Sequence, residues 1–154
     1  MEPLILMPIG TVHNAIASPQ DDHWRGVVSQ LVIDSEQYLP ESLQGIEEFS
    51  HLEVIYVMNR VDPSSLPVGA RHPRNLTFLP KVGIFAQRPK ARPNRIGLSR
   101  CRLLSREGMI LTVEGLDAID DSPLIDIKPY FAEFGPRGEV LQPDWTHEVM
   151  RNYY

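Results

Sequence analysis

Two segments of the sequence concentrate side chains that can do chemistry. In the segment GLDAIDDSPLIDIKPYF, the residues Asp126, Lys128 and Tyr130 occupy alternate positions. On a strand they would share one face, while Ile125 and Ile127 would point to the other. A carboxylate, an ammonium and a phenol on one face are the groups of a proton-handling site, so we predict catalytic roles for all three. The alternative is an ordinary ion pair beside a packed tyrosine.

The second segment, GIFAQRPKARPNRIG, is predicted to bind an anion. Arg88 would stand at the end of a buried strand, and a loop stiffened by two prolines would then present Arg92, Asn94 and Arg95. Guanidinium groups suit bidentate recognition of carboxylate or phosphate, and an asparagine amide both donates and accepts. We therefore predict that Arg92, Asn94 and Arg95 bind the substrate. A rigid surface turn with solvated arginines is the alternative.

The charges are strongly segregated along the chain. The net charge is −5, yet residues 63–106 contain no Asp or Glu and hold ten of the fifteen basic residues. Such segregation indicates a site for phosphate, nucleic acid or carboxylate. The alternative is that these bases pair with acids that folding brings close.

Short runs of β-forming residues, without the helical spacing of βαβ units, predict a mainly-β (all-β) fold, a small barrel with a few short helices. We predict strands at residues 4–12, 27–33, 51–61, 81–87, 99–103, 109–113 and 124–127. Helices are predicted at 40–49 and 144–154, the second with Asp144 as its N-cap. Residues 62–80 and 88–97 are predicted to be loops because of their prolines.

Several classes of function lack support in the sequence. No glycine-rich dinucleotide fingerprint or phosphate loop is present. The five histidines are scattered and Cys101 is the single cysteine, so we expect no metal site, no internal disulfide and a buried, unreactive thiol. The apolar N-terminal run is short and lacks a basic flank, so we expect neither a signal peptide nor a membrane span, and a cytoplasmic protein.

The two segments together resemble the TrmO family, also called TsaA-like. The resemblance is carried by GIFAQR, RPNRIG and GLDAIDDSPLIDIKPY, and it extends to MPIGTV and GIEEFSHLEVIYV, so that it spans nearly the whole chain. It implies one domain over residues 1–154, a single-sheet barrel that binds S-adenosylmethionine and forms a homodimer. The implied activity is methylation of N6 of threonylcarbamoyladenosine beside the tRNA anticodon.

The resemblance also assigns the cofactor site. Carried over residue by residue, the cofactor-binding positions are Asn59, Arg60, Arg88, Leu98, Asp120, Asp121, Ser122 and Pro123. The chain departs from the family pattern at four places: Gln87 replaces Thr, Pro89 replaces Ser, Arg95 replaces Pro, and Asp121-Ser122 replaces Gly-Thr.

These observations define a mechanism and two alternatives. Asp126 or Tyr130 would take the proton of a ureido nitrogen, while Lys128 lowers the pKa of the phenol or holds the acceptor's carboxylate. The first alternative is a methyltransferase for a small anionic metabolite. The second is a non-catalytic module that binds S-adenosylmethionine or RNA.

Overall fold

A computed structural model describes residues 2–154 and is built around a closed antiparallel barrel. The strands are β1 (Gly10–His13), β2 (Val28–Ile33), β3 (His51–Val57), β4 (Ala70–Arg71), β5 (Val82–Gly83), β6 (Ile96–Glu107), β7 (Ile110–Glu114) and β8 (Ser122–Pro129). Strands β4 and β5 form a separate small ribbon, and the other six close in the order β1-β2-β7-β6-β3-β8. The predicted mainly-β barrel is therefore confirmed.

Helical structure is short and peripheral. The α-helix α1 covers Asp144–Met150. In the part of the chain that the structure describes, seven 3₁₀ helices cover Pro40–Leu43, Ile46–Glu48, Pro63–Ser65, Pro73–Asn75, Ile84–Ala86, Pro93–Arg95 and Ala132–Phe134. Within residues 2–154, no helix has the length and apolar character needed to cross a bilayer.

The barrel encloses the core because its strands alternate between inward apolar and outward polar residues. On β3, for example, Leu52, Val54 and Tyr56 are buried, whereas the residues between them are half-buried. The same alternation on β6 turns Ser99 and Cys101 inward and Arg100 and Arg102 outward, as predicted. Closure leaves no free sheet edge among the six strands. Because β6, β3 and β8 are neighbours in the barrel, their outward side chains share one continuous outer surface.

Several predicted element bounds are wrong, each for an identifiable reason. The first strand begins only at Gly10, where pairing with β2 and β8 starts, and Leu4 to Met7 are exposed. Strand β3 ends at Val57. The predicted strand 81–87 is a strand only at Val82–Gly83, because the chain then turns into a 3₁₀ helix.

The predicted helices are also shorter than expected. The segment 40–49 divides into two 3₁₀ helices because Gly45 adopts a left-handed conformation with φ of 85° between them. Helix α1 ends at Met150, and Pro143 occupies its N-cap position. Asp144 is the first helical residue, so the prediction that it caps the helix is wrong.

Gly97 is a glycine at which an added methyl group would collide with a buried side chain. A Cβ there would lie 2.6 Å from Cε1 of Tyr56 and closer still to Cζ. We expect Gly97→Ala to lower the free energy of unfolding by about 2 kcal/mol, because the buried ring would have to move. Denaturant unfolding would measure this loss. Gly69→Ala, where no atom lies within 4 Å, is the control, and an equal loss in both variants would contradict the packing argument.

Candidate functional site

The turn between β7 and β8 contacts Asn59, and together they form the first part of the predicted cofactor-binding site. The Nδ2 of Asn59, which follows β3, donates to the carbonyl oxygen of Asp121 at 3.0 Å. The neighbouring Asp120 accepts at Oδ1 from the backbone N–H of Asn14 at 3.1 Å. Asn59 and the Asp120–Asp121 turn therefore meet at one end of the barrel, although 62 positions separate the bonded residues.

His13, at the end of β1, completes this cluster and was not found from the sequence. Its Nδ1 lies 3.2 Å from Oδ1 of Asp120 and 3.6 Å from Oδ1 of Asp121. The backbone N–H of Asn14, and next His13, lower the pKa of Asp120. The ligand atoms of the three side chains lie within 4.8 Å of one another, a grouping that could hold a cation. Since the partners are over 100 positions apart, spacing alone gave no sign of it.

The other members of the turn have different environments. Asp121 has a φ of 61°, which a glycine adopts with less strain, and the family pattern has glycine at this position. Ser122 is buried, and its Oγ has no hydrogen-bond partner within residues 2–154. Because Ser122 faces the core, a molecule on the outer surface would meet its backbone. Pro123 pairs with Thr11 of β1.

Arg88 and Leu98 form the second part of the predicted cofactor set. An NH2 nitrogen of Arg88 donates to the carbonyl oxygen of Leu98 at 3.0 Å. The Leu98 side chain points outward and is 46% exposed, and its neighbour on β3 is Ile55. Arg60 is exposed just beyond β3. The structure thus places both parts of the set around the end of β3.

The predicted substrate loop is held by hydrogen bonds from its arginines to nearby backbone carbonyl oxygens. The NH1 of Arg92 donates to the carbonyl oxygen of Gln87 at 3.2 Å, and the NH1 of Arg95 donates to that of Val61 at 3.0 Å. Asn94 and Arg95 both have positive φ, and Asn94 is exposed. These hydrogen bonds occupy one guanidinium nitrogen of Arg92 and one of Arg95. The remaining nitrogens of both side chains stay available to a ligand.

Gln87 anchors this loop from inside, a role that the sequence analysis missed. It is buried, and its Nε2 donates to the carbonyl oxygens of Arg71 at 3.0 Å and Val82 at 2.8 Å. Arg88 therefore follows a 3₁₀ helix and the buried Gln87, whose amide fixes the backbone there. The prediction that Arg88 stands at the end of a buried strand is wrong. The departure of Gln87 from the family threonine was the available signal.

The predicted catalytic residues lie together on the outer surface of the barrel. The Nζ of Lys128 is 2.7 Å from Oδ2 of Asp126, so the ion pair considered in the sequence analysis is present. This hydrogen bond raises the pKa of Lys128, which keeps its ammonium charged. The Tyr130 ring lies under the guanidinium of Arg100, with 4.8 Å between Cζ and the ring centroid. Arg100 in turn donates through Nε to Oε1 of Glu53 at 2.8 Å.

A bulge changes which β8 side chains face the core. The register with β3 shifts between Ile55 and Tyr56, which pair with Asp126 and Leu124. Leu124 is fully buried and Ile127 packs against the core. The prediction that Ile125 and Ile127 share the inner face is therefore wrong, because the bulge inserts one extra residue.

Asp126 also borders a cavity of about 670 Å³ between β8 and the two 3₁₀ helices of residues 40–48. Its lining includes Leu43, Ile46 and Phe49, and Glu48 adds a carboxylate. An apolar cavity with a few polar groups at its rim suits a flat, partly polar ligand such as a nucleobase.

A half-buried carboxylate, that of Asp117, accepts hydrogen bonds from three hydroxyl groups. The hydroxyl of Tyr56 donates to Oδ1 of Asp117 at 2.7 Å, Ser99 also donates to Oδ1, and Tyr153 donates to Oδ2. Burial, and next the charge of Asp117, raise the pKa of both phenols. Burial also raises the pKa of Cys101 to about 12, in agreement with the predicted unreactive thiol.

Folding neutralises only part of the basic segment. Within residues 2–154, four of its ten bases have an acidic partner, in the pairs Arg74–Asp22, Lys90–Asp21, Arg100–Glu53 and Arg106–Glu47. Arg88, Arg92 and Arg95 bond only to backbone carbonyls in this part of the chain. The site therefore keeps unpaired positive charge beside the predicted cofactor and substrate positions.

Comparison with known proteins identifies the family to which this barrel belongs. Residues 13–135 match the family model described as the tRNA-methyltransferase O N-terminal domain, and the chain belongs to that family. The TrmO resemblance is thereby confirmed. In a crystal structure of TrmO from Pseudomonas aeruginosa, 24% identical, the same fold is seen with a TM-score of 0.72 over 94% of this chain and 62% of that one.

Two relatives carry functional names. The chain is 38% identical over 136 residues to the "Probable S-adenosyl-L-methionine-binding protein" of Pyrococcus abyssi, covering 86% of this chain and 71% of the relative. It is 36% identical over 113 residues to the human tRNA (adenine(37)-N6)-methyltransferase, covering 73% of this chain. It spans only 25% of the length of that human protein.

Proposed function

We propose that this protein binds S-adenosylmethionine and transfers its methyl group to N6 of a modified adenosine in tRNA. The observation that carries the proposal is the meeting of Asn59 with the Asp120–Asp121 turn, two distant family motifs, at the end of β3 where Ile55 pairs with Asp126 on one side and with Leu98 on the other. The names of the relatives from Pyrococcus abyssi and human support the cofactor and the acceptor, respectively.

The side chains present fit the chemical groups of the cofactor. Its carboxylate would be held by the guanidinium of Arg88, since arginine suits planar anions. Its ammonium or sulfonium cation would be balanced by Asp120 and Asp121 at the turn, where the Asp121 carboxylate is exposed and the Asp120 carboxylate is half-buried. Its adenine would find apolar surface at Leu98, with Asn59, Arg60, Ser122 and Pro123 completing the predicted contacts.

The Asp126 surface would handle the acceptor. When bound, S-adenosylmethionine supplies a methyl group activated by positive sulfur. Asp126 or Tyr130 would accept the proton lost from the acceptor nitrogen. Lys128 would hold the acceptor's carboxylate, because its raised pKa keeps it cationic. The cavity beside Asp126 would take the base, which positions the nitrogen and excludes water.

The substrate is the finer part of the proposal. Threonylcarbamoyladenosine beside the anticodon suits this chain because its carboxylate matches Lys128 and its flanking phosphates match Arg92, Asn94 and Arg95. A small anionic metabolite would use the same groups, and a non-catalytic module would bind without turnover. Steeply salt-dependent substrate affinity would favour tRNA over the metabolite, because polyanion binding releases counterions.

We further propose a cytoplasmic homodimer that requires neither metal nor membrane. The family resemblance supports the dimer, and exposed aromatic side chains such as Phe78, Phe85 and Phe134 offer contact surface. Light scattering of the purified protein would test the dimer. Methylation that continues in a chelator would support the absence of a metal requirement, although His13, Asp120 and Asp121 are grouped closely enough to hold an ion.

Calorimetric titration of S-adenosylmethionine tests the foundation of the proposal. We expect saturable binding, weakened about tenfold or more in Arg88→Ala because a charge-assisted hydrogen bond to the ligand is lost. Arg137→Ala, which removes an exposed arginine outside the site, should bind like the wild type. If the wild type did not bind S-adenosylmethionine, the proposed methyltransferase activity would be refuted. If it binds, mass analysis of digested tRNA would identify the methylated nucleoside.

A further inference from the structure

A basic pocket, separate from the apolar cavity beside Asp126, lies on the outer wall where β6 and β7 diverge. Their pairing ends at Arg102 and Glu114, beyond which the wall is formed by the residues around Arg25 and by the C-terminal residues. The resulting pocket has a volume of about 310 Å³, and its lining includes Arg25, His51, Arg100, Arg102, Glu114 and Tyr154. None of the predicted site residues lines it.

The pocket carries an excess of positive charge. Arg100 is paired with Glu53 at 2.8 Å, but within residues 2–154 neither Arg25 nor Arg102 has an ion-pair partner. Glu114 is the one acidic residue in the described lining. Two unpaired guanidinium groups around a concave surface are suited to a phosphate group.

Arg100 connects this pocket with the proposed acceptor site. Its guanidinium lies over the Tyr130 ring, while the residue itself lines the pocket. The strands β8, β3 and β6 are direct neighbours, so the two sites are adjacent on one continuous face. A strand of RNA with its target nucleotide at Tyr130 would therefore extend across β3 and β6 into the pocket.

The C-terminal residues provide an aromatic wall that is held in place. The backbone N–H of Trp24 donates to the carbonyl oxygen of Tyr153 at 2.8 Å, and the Tyr153 hydroxyl is anchored on Asp117. Tyr154 packs edge-on against Tyr153 with 4.9 Å between ring centroids, yet 53% of its surface is exposed. An exposed ring on a fixed segment beside arginines is the combination that binds single-stranded nucleic acid.

We propose that this pocket is a second RNA subsite, in which Arg25 and Arg102 bind a backbone phosphate and Tyr154 stacks on a base next to the methylated nucleotide. The inference rests on the proposed function, because it takes the acceptor to be an RNA chain. It adds to that function a fixed path for the flanking strand.

Measurement of tRNA affinity at several salt concentrations tests the phosphate contact. Losing one contact should lower the slope of log affinity against log salt by about 0.7, which is roughly a fivefold loss of affinity at about 0.1 M salt. We expect this in Arg25→Ala and in Arg102→Ala. The control Arg137→Ala makes the same charge change outside the pocket and should behave like the wild type.

Substitutions of Tyr154 test the stacking. Tyr154→Ala should weaken tRNA binding by about fivefold or more, whereas Tyr154→Phe, which keeps the ring, should retain it. Calorimetric binding of S-adenosylmethionine should stay unchanged in all these variants, which shows that they are folded. Equal losses in the alanine and phenylalanine variants would contradict a stacking role.

The outcomes separate this inference from the proposed function. If the wild type methylates tRNA and both arginine variants keep its affinity and salt slope, the subsite is wrong while the function stands. If the wild type binds S-adenosylmethionine but no tRNA, both the acceptor and the subsite are wrong. A titration with inorganic phosphate tests whether the pocket binds free phosphate instead of RNA. If Arg102→Ala abolishes phosphate binding but leaves the affinity for tRNA unchanged, the RNA subsite is also wrong.

Discussion

Replacing Asp117 with alanine is expected to lower the free energy of unfolding by about 3 kcal/mol, because the hydroxyls of Ser99 and Tyr153 would lose their acceptor and that of Tyr56 would keep only the backbone carbonyl oxygen of residue 117. The hydroxyls of Tyr56, Ser99 and Tyr153 all donate to this carboxylate, and Tyr56 and Ser99 are buried. Unsatisfied buried donors carry their full desolvation cost. Chemical denaturation followed by circular dichroism would measure the change.

Two further variants show whether the hydrogen bonds cause the loss. Asp117→Asn keeps one acceptor oxygen and should be less destabilising than the alanine variant. Asp144→Ala removes an exposed carboxylate and should change stability by less than about 0.5 kcal/mol. If Asp117→Ala were as stable as the wild type, the network would not be a determinant of the fold.

The same network predicts an alkaline limit to stability. Burial and the charge of Asp117 raise the pKa of Tyr56 and of Tyr153, so the folded state holds both phenolic protons more tightly than the unfolded chain does. This stabilisation is complete below the unfolded pKa of about 10 and is lost as pH rises above it. Thermal unfolding between neutral and strongly alkaline pH should show a falling midpoint, and Tyr153→Phe should flatten the fall.

The second large effect is expected from the double variant Asp126→Asn, Tyr130→Phe, in which methyl transfer should slow by about 100-fold. Both substitutions keep the shape of the side chain but remove the group that would accept the acceptor's proton. The measurement is single-turnover transfer from labelled S-adenosylmethionine to tRNA. Calorimetric affinity for S-adenosylmethionine should not change, because neither residue is assigned to the cofactor.

Single variants divide the roles of the two residues. The one that takes the proton should lose most of the rate and change the pH profile of kcat, whereas the other should alter KM. Glu139→Gln, at an exposed position, is the control and should keep the wild-type rate. A double variant that transfers at full speed would remove Asp126 and Tyr130 from the chemistry and leave positioning as their role.

The class of fold and the family follow from local patterns of residues along the chain. Alternation of apolar and polar residues, as at Ser99, Arg100 and Cys101, determines which face of a strand is buried, because neighbouring side chains point to opposite faces. The motifs likewise brought Asp126, Lys128 and Tyr130 to a single surface, since their spacing follows the same period. Local patterns of this kind predict which side chains share a face without knowledge of the neighbouring strands.

Features that depend on residues far apart in the chain could not be predicted before the strands were seen to pair. The first strand starts at Gly10 because β2 and β8 pair with it only from there, and the bulge in β8 moved Ile125 out of the core. The contact of His13 with Asp120 spans 107 positions, and the bond from Tyr153 to Asp117 depends on how the C-terminal residues dock. Closure of the barrel brings such residues together, and neither periodicity nor motif spacing encodes that closeness.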